Sequence, residues 1–239
     1  MSPVQKAARM KRIMTMMMIK RTALVFCFIL SALYSAAQET DFGIWSEVNT
    51  EFGLLKRLDA CASLSLRTFD NSSKVEQGFA EAGLQYKVSK NFSVTGSYRL
   101  IRNIEDDSKY YYRHKMFIDL KYSQPVGNLK ISARVRMQRA TKTYIEDDED
   151  LLAKYYGRMK LKSEYDIPSV PVTPFAYVES FTPLFSDSKF EISKYRLAAG
   201  TEIRISRRSS FEAGYLFQQE LKKNTFNSHI LLFGYNLKF

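Results

Sequence analysis

The sequence predicts an all-β protein that crosses a membrane as a closed antiparallel β-barrel. Three observations predict this fold class: long segments that alternate between apolar and polar residues, a leader-like N-terminus, and an aromatic pattern in the last strand. The one continuous apolar run is too short for a membrane-spanning helix, which needs about 20 residues. We therefore expect a wall of about ten strands, with twelve as the alternative.

Residues 1–37 have the three parts of a secretory signal peptide. Basic residues precede the apolar run Ala23–Leu33, and the small residues Ser35-Ala36-Ala37 follow it. Cleavage there leaves residues 38–239 as a single barrel domain without a visible domain boundary. The leader predicts export, and together with the barrel it predicts that the protein resides in the outer membrane of a Gram-negative cell.

The net charge of +11 overstates how basic the mature chain is. Residues 38–239 keep 30 of the 36 basic residues and all 25 acidic ones, which gives +5. These basic residues alternate along strands instead of clustering, and this argues against a nucleic-acid partner. The mature chain keeps one cysteine, Cys61, so a large core or the membrane must replace disulfides as the source of stability.

A two-residue period dominates the mature chain and predicts strands with two different faces. Residues 129–138 place apolar side chains on one face and polar ones on the other, and segments 57–67 and 195–205 repeat this pattern. Such segments match the roughly 9–11 residues of a tilted membrane-spanning strand better than the roughly 5–6 of an average strand. In a closed barrel the apolar face meets lipid and the polar face lines the interior.

The polar faces predict an interior of mixed charge. Opposite charges that pair would fill it, and this packed interior is favoured over an open pore. An excess of Lys and Arg would instead make a path that favours anions. The candidate interior charges are Arg99, Lys115, Asp119, Arg134, Arg136, Glu164, Arg196, Glu202 and Arg204.

Short and long connections alternate along the chain, as they do in outer-membrane barrels. Bacterial single-chain barrels have an even number of strands and both termini on the periplasmic side. Segment 42–54 does not fit this parity. We expect it in the interior or at the periplasmic mouth of a ten-stranded wall, unless one merged or missed hairpin makes twelve strands.

The C-terminal segment is similar to the terminal strand by which outer-membrane barrels are recognised for insertion. Every second residue from the end is apolar or aromatic: Leu231, Phe233, Tyr235, Leu237 and Phe239. The alternative is the closing strand of a soluble β-protein. With the leader, the pattern predicts three partners, namely outer-membrane lipid, lipopolysaccharide and the barrel-assembly machinery.

No motif for catalysis, a cofactor or a metal stands out in the sequence. Ser228 and His229 cannot form a dyad, because neighbouring residues of a strand point to opposite faces. A non-enzymatic barrel with a structural or narrow-pore role is the favoured function. One alternative is an outer-membrane lipid-modifying enzyme, which needs His114 or His229 beside a serine and a carboxylate. The other is a soluble periplasmic lipocalin-like binder.

Three short aromatic motifs resemble the exported family called "domain of unknown function 2490". They are Asp41-Phe42-Gly43-Ile44-Trp45, Tyr112-Arg113-His114-Lys115, and the segment from Pro174 to Phe181. The resemblance covers nearly the whole mature chain. It implies an outer-membrane barrel of Gram-negative bacteria, and it implies no activity and no catalytic residues.

Overall fold

The computed structural model describes residues 40–104, 110–143, 153–185, 191–221 and 226–239. The predicted signal peptide, residues 1–37, lies outside the described residues. No helix in these ranges is long and apolar enough to span a membrane.

Eleven strands form one closed barrel in the described part of the chain. Strands that are neighbours in sequence pair antiparallel, whereas the first and last strands pair in parallel. The strands are β1 (Thr40–Leu55), β2 (Leu58–Phe69), β3 (Lys74–Lys87), β4 (Phe92–Ile104), β5 (Tyr110–Val126), β6 (Leu129–Lys142), β7 (Lys154–Tyr165), β8 (Val172–Leu184), β9 (Lys194–Arg204), β10 (Ser209–Glu220) and β11 (Phe226–Lys238).

The predicted antiparallel barrel class is confirmed, but the expected count of ten or twelve strands is wrong, as is the placement of segment 42–54 off the wall. That segment lies in β1, which pairs with β11 from Thr40 opposite Asn227 to Glu51 opposite Lys238. The parity argument assumed that the chain enters and leaves the wall at the same end. With eleven strands it enters at one end and leaves at the other, so the closing pair is parallel.

Hydrogen bonds to the neighbouring hairpin fix the beginning of β1. The Asp41 carboxylate accepts a hydrogen bond from the Asn71 backbone N–H at 3.0 Å, in the turn between β2 and β3. The Thr68 hydroxyl accepts one from the Ile44 backbone N–H at 2.8 Å. These contacts tie the beginning of β1 to the end of β2 and to the turn that follows β2.

The two faces of the wall follow the alternation of the sequence. Leu64, Ile118 and Met159 are each more than half exposed on the outer face, while Ser65 and Arg158 beside them in sequence border the interior. Connections 56–57, 88–91, 127–128, 166–171 and 205–208 lie at one end of the barrel, called here the turn end. The opposite end is the loop end.

Part of the interior face is apolar, contrary to a simple division between lipid-facing and polar residues. Ala198, Leu216 and Ile230 form a buried cluster on β9, β10 and β11, with Trp45 and Leu232 against it. In a narrow barrel, side chains must fill the interior on every strand. A strand face can therefore be apolar without meeting lipid.

Phe175 packs over two facing glycines of the wall, Gly200 on β9 and Gly214 on β10. A Cβ atom at Gly200 would lie 2.5 Å from the Ala213 carbonyl oxygen and 2.7 Å from Phe175 Cζ. The ring thus occupies the space that the missing side chains leave. The glycines are required here by this close approach.

Candidate functional site

A polar space of about 1380 Å³ occupies the inside of the barrel. Residues of both ends border it, from Asp41 and Ser193 at the loop end to Arg208 and Lys238 at the turn end. Among the described residues along this space, Lys and Arg outnumber Asp and Glu. The space therefore runs the length of the barrel and is predominantly cationic.

The structure places the candidate interior charges on the inner face. The ones that border the interior space are Arg99, Lys115, Arg134, Arg136, Arg196, Glu202 and Arg204. Asp119 accepts hydrogen bonds from Nε and Nη2 of Arg136, each at 2.6 Å. Glu164 pairs at 3.0 Å with Lys130 and Lys162 near the turn end.

Arginine side chains and aromatic rings alternate around the middle of the interior. Arg67 Cζ lies 3.8 Å from the centroid of the Trp45 ring and 5.1 Å from that of Phe79. Aromatic faces attract guanidinium groups and hold their planes. We call the whole set the arginine–aromatic belt: Arg67, Arg99, Arg134, Arg136, Arg158, Arg196, Trp45, Phe79, Phe117 and Phe181.

Glu179 is the central carboxylate of the belt. It is 3% exposed and contacts three arginines from three strands: Arg134 at 2.7 Å, Arg158 at 2.8 Å and Arg196 at 3.6 Å. A buried carboxylate keeps its charge only when such partners compensate it. Glu179 and these arginines therefore form one buried network.

The other belt carboxylates serve fewer cations. Glu81 accepts a hydrogen bond from Arg99 Nε at 2.6 Å. Asp119 forms a bidentate pair with Arg136. Arg134 also approaches Asp119, at 3.8 Å. Each of these pairs joins neighbouring strands and does not cross the interior.

Arg67 and Lys115 are among the interior cations that have no carboxylate partner in the described residues. Arg67 contacts only aromatic faces, and its Nε atom is buried without a hydrogen-bond acceptor. The charged groups that act most strongly on Lys115 are Arg99, Arg67, Arg158 and Arg113, all of them cations. Positive charge in this part of the interior thus exceeds what the acids of the described residues neutralise.

Both histidines lie on the outer face and pair with tyrosines of neighbouring strands. His114 Nδ1 is 2.5 Å from the Tyr98 hydroxyl, and His229 makes the equivalent contact with Tyr215. Neither histidine contacts a serine or a carboxylate in the described part of the chain. The geometry that a Ser–His hydrolase needs is therefore not found at either position.

The alternating apolar residues of the last strand face outward. Phe233, Tyr235 and Phe239 are exposed on the outer face, and the alternate residues from Ser228 to Lys238 border the interior. Phe239 stacks on Phe52 of β1, with ring centroids 4.9 Å apart. Leu231 and Leu237 share this face, and the role of the five residues in insertion stays a prediction.

Metal binding finds no support in the described ranges. They hold no group of three or more His, Cys, Asp or Glu side chains that could bind a metal ion.

Arg67, Arg158 and Glu179 were not among the predicted site residues. The alternation of the sequence does place Arg67 on an inner face, in segment 57–67. It does not reveal that Glu179 serves three arginines, because that depends on how β6, β7 and β9 register against β8. An inner-face acid with aromatic residues on either side of it on the same face, Glu179 between Tyr177 and Phe181, was the available signal.

A family model described as "Protein of unknown function (DUF2490)" matches residues 42–229. The chain belongs to this family. The matched region begins in β1 and ends in β11, so the DUF2490 region covers nearly the whole wall of the barrel. The resemblance carried by the three aromatic motifs is confirmed.

Solved membrane barrels resemble the DUF2490 barrel at low sequence identity. The NanC porin is 12% identical, with a TM-score of 0.49, covering 78% of this chain and 89% of the porin chain. A bacterial polysaccharide outer membrane secretin is 9% identical, with a TM-score of 0.46 and coverages of 74% and 73%. The translocator domain of the autotransporter NalP from Neisseria meningitidis is 13% identical, with a TM-score of 0.41 and coverages of 74% and 72%. No curated protein matches the DUF2490 sequence.

Proposed function

We propose that this DUF2490 protein is a non-enzymatic, integral outer-membrane barrel that forms a narrow path favouring anions. The observation that carries the proposal is the interior space of about 1380 Å³, which residues of both ends border and in which cations predominate. An excess of Lys and Arg along a pore lowers the energy of anions inside it and raises that of cations.

The unpaired cations favour a hydrated path over the packed interior that the sequence alone favours. Arg67 and Lys115 have no carboxylate partner among the described residues, and Lys160 lies 3.5 Å from the centroid of the Tyr177 ring. Charges that are buried without a partner destabilise a dry interior. Water and mobile anions in the space remove that cost.

The outer face supports a membrane location. Apolar side chains such as Leu64, Met137 and Met159 project outward and are more than half exposed. A soluble lipocalin-like binder needs the reverse arrangement, a polar exterior around an apolar cavity. In our proposal the outer face contacts outer-membrane lipid and lipopolysaccharide, and the assembly machinery inserts the barrel through its aromatic last strand.

The test is the conductance of the purified full-length protein in a planar bilayer. The protein is extracted with detergent from the outer-membrane fraction, and the reversal potential is measured across a KCl gradient. We expect resolved current steps with anion selectivity, and weaker selectivity for Lys160→Gln because one interior charge is lost. Arg139→Gln, which removes the same charge from the outer face, is the matched control and keeps the wild-type selectivity.

A silent bilayer, or steps that favour potassium over chloride, would contradict the path. Release of the protein by osmotic shock without detergent would contradict the membrane location.

A further inference from the structure

The arginine–aromatic belt holds more positive charge than its carboxylates neutralise. Within the described residues, the acids in contact with its six arginines are Glu81, Asp119 and Glu179. Neither Arg67 nor the neighbouring Lys115 forms an ion pair with an acid of the described residues, and only Glu47 and Glu76 act on Arg67 from a distance. Because a charge that is removed from water without a partner is costly, an anion bound beside these half-buried cations would stabilise the folded protein.

Buried hydrogen-bond donors without acceptors mark the place where that charge belongs. Ser65 Oγ and the Nε atoms of Arg67, Arg134 and Arg158 are buried and have no partner. Nearly all buried donors in folded proteins are paired. Several unpaired donors in one polar space indicate a missing acceptor with several oxygens.

Arg67 on β2, Lys115 on β5 and Arg158 on β7 border the same interior space from different strands, on the loop-end side of the belt. Lys115 on β5 is influenced most by Arg99 on β4, Arg67 on β2 and Arg158 on β7. Arg67 Cζ lies over the Trp45 and Phe79 rings, and its buried Nε has no acceptor in the described structure, so this guanidinium still has a donor for a ligand. The donors are thus held in position before any ligand binds.

We propose that Ser65, Arg67, Lys115 and Arg158 form a binding site for an oxyanion that carries two or more negative charges. Phosphate-type and polycarboxylate groups share this chemistry, since each presents paired oxygens that match a guanidinium. Chloride has neither the paired oxygens nor the charge. The inference deepens the proposed function, because it names the class of anion that the path binds.

Trp45 provides a direct readout of this site. It is the single tryptophan of the sequence, and Arg67 lies against its ring. The full-length protein, folded in detergent, is titrated with pyrophosphate, with citrate and with chloride at constant ionic strength. We expect a saturable change in tryptophan fluorescence with pyrophosphate or citrate, and no saturable change with chloride.

Variants distinguish binding at this site from a general electrostatic attraction of anions to the cationic interior. Lys115→Gln and Arg67→Gln each remove a charge-assisted hydrogen bond, and we expect each to weaken binding about tenfold. Lys121→Gln removes an interior cation of the turn end, away from the belt, and keeps the wild-type affinity. Because Arg67→Gln also changes the surroundings of Trp45, calorimetry repeats the titrations without the fluorescent reporter.

Thermal unfolding keeps the proposal testable even if one reporter fails. Pyrophosphate or citrate should raise the unfolding temperature of the wild-type barrel, because a ligand that binds only the folded state stabilises it. Lys115→Gln should fold well, since it removes an unpaired cation, and should lose most of this response. Tighter binding of pyrophosphate would indicate a phosphate-type ligand, and tighter binding of citrate would indicate a polycarboxylate.

Equal affinity in wild type and the Lys115→Gln variant would overturn the site, as would the absence of saturable binding by both fluorescence and calorimetry. The proposed binding site and the proposed conducting path can be contradicted independently of each other. Binding is measured without a membrane, and conductance is measured without a multivalent anion.

Discussion

The turn end of the interior and the arginine–aromatic belt hold their charges in different ways. At the turn end, Glu51 pairs with the exposed Lys238 at 2.7 Å, and Glu164 pairs with Lys130 and Lys162 at 3.0 Å. In the belt, buried carboxylates are shared among arginines, and some cations have no acid. Solvated pairs cost little to make or break, whereas buried charges are costly when left unpaired.

The comparison indicates which charges the fold uses and which ones a ligand uses. The turn-end pairs join strand ends and could be replaced without affecting other residues. Glu179 on β8 joins β6, β7 and β9 through its three arginines and so links four consecutive strands of the wall. Arg67 and Lys115 form no ion pair of this kind in the described residues, and in our proposal they serve a bound or passing anion.

The largest effect is expected for Glu179→Gln, which leaves Arg134, Arg158 and Arg196 without their shared carboxylate. Removing one member of a buried charge network lowers the free energy of unfolding by about 3–5 kcal/mol. Urea unfolding of the barrel in lipid vesicles measures the loss. The matched change at the turn end, Glu51→Gln, is expected to cost about 1 kcal/mol or less.

Equal losses for the two substitutions would show that burial does not distinguish the belt from the turn end. Pyrophosphate should restore part of the stability of the Glu179→Gln barrel, because a bound anion replaces some of the missing negative charge.

An intermediate effect is expected for Gly200→Ala, on the turn-end side of the belt. The new Cβ would meet the Ala213 carbonyl oxygen and the Phe175 ring, and such overpacking costs about 1–3 kcal/mol. Gly96→Ala is the matched control, since a Cβ there has no heavy atom within 4 Å. That variant should be as stable as wild type or up to about 1 kcal/mol more stable.

The same unfolding assay compares the two glycine variants. If Gly200→Ala proved as stable as Gly96→Ala, the interior beside Phe175 would be loosely packed. That result would remove the evidence that Phe175 fills the interior at this point.

The smallest effect concerns the loop-end rim, where Lys74 donates a hydrogen bond to Asp70 and thereby lowers the pKa of that carboxyl. A carboxyl whose pKa is lower in the folded state stabilises the fold above its unfolded pKa, near 3.9. This contribution disappears as the pH falls through the folded value. Asp70→Asn should therefore slightly reduce the loss of stability on acidification.

Asparagine tolerates the positive φ of 53° at position 70, so the substitution isolates the charge. The measurement is the unfolding temperature from neutral pH to below pH 3.9. If the unfolding temperature of the variant fell with pH as much as that of wild type, the Asp70–Lys74 pair would not contribute to stability.

The period-two pattern was enough to predict the faces of the strands. For example, Ile131 and Val135 face outward while Arg134 and Arg136 face inward. The pattern is local, because successive side chains of a strand point to opposite sides whatever the strand pairs with. The aromatic face of the last strand follows from the same rule.

The number of strands and the partners of the charges depend on closure. β1 becomes part of the wall because it pairs in parallel with β11, a contact between the two ends of the chain that no local pattern encodes. Glu179 meets Arg134, 45 residues away, in the same way. The sequence sets which side chains point inward, since that depends on neighbouring residues alone. Which of them meet, and which cations are left for an anion, depends on how all the strands register around the closed barrel.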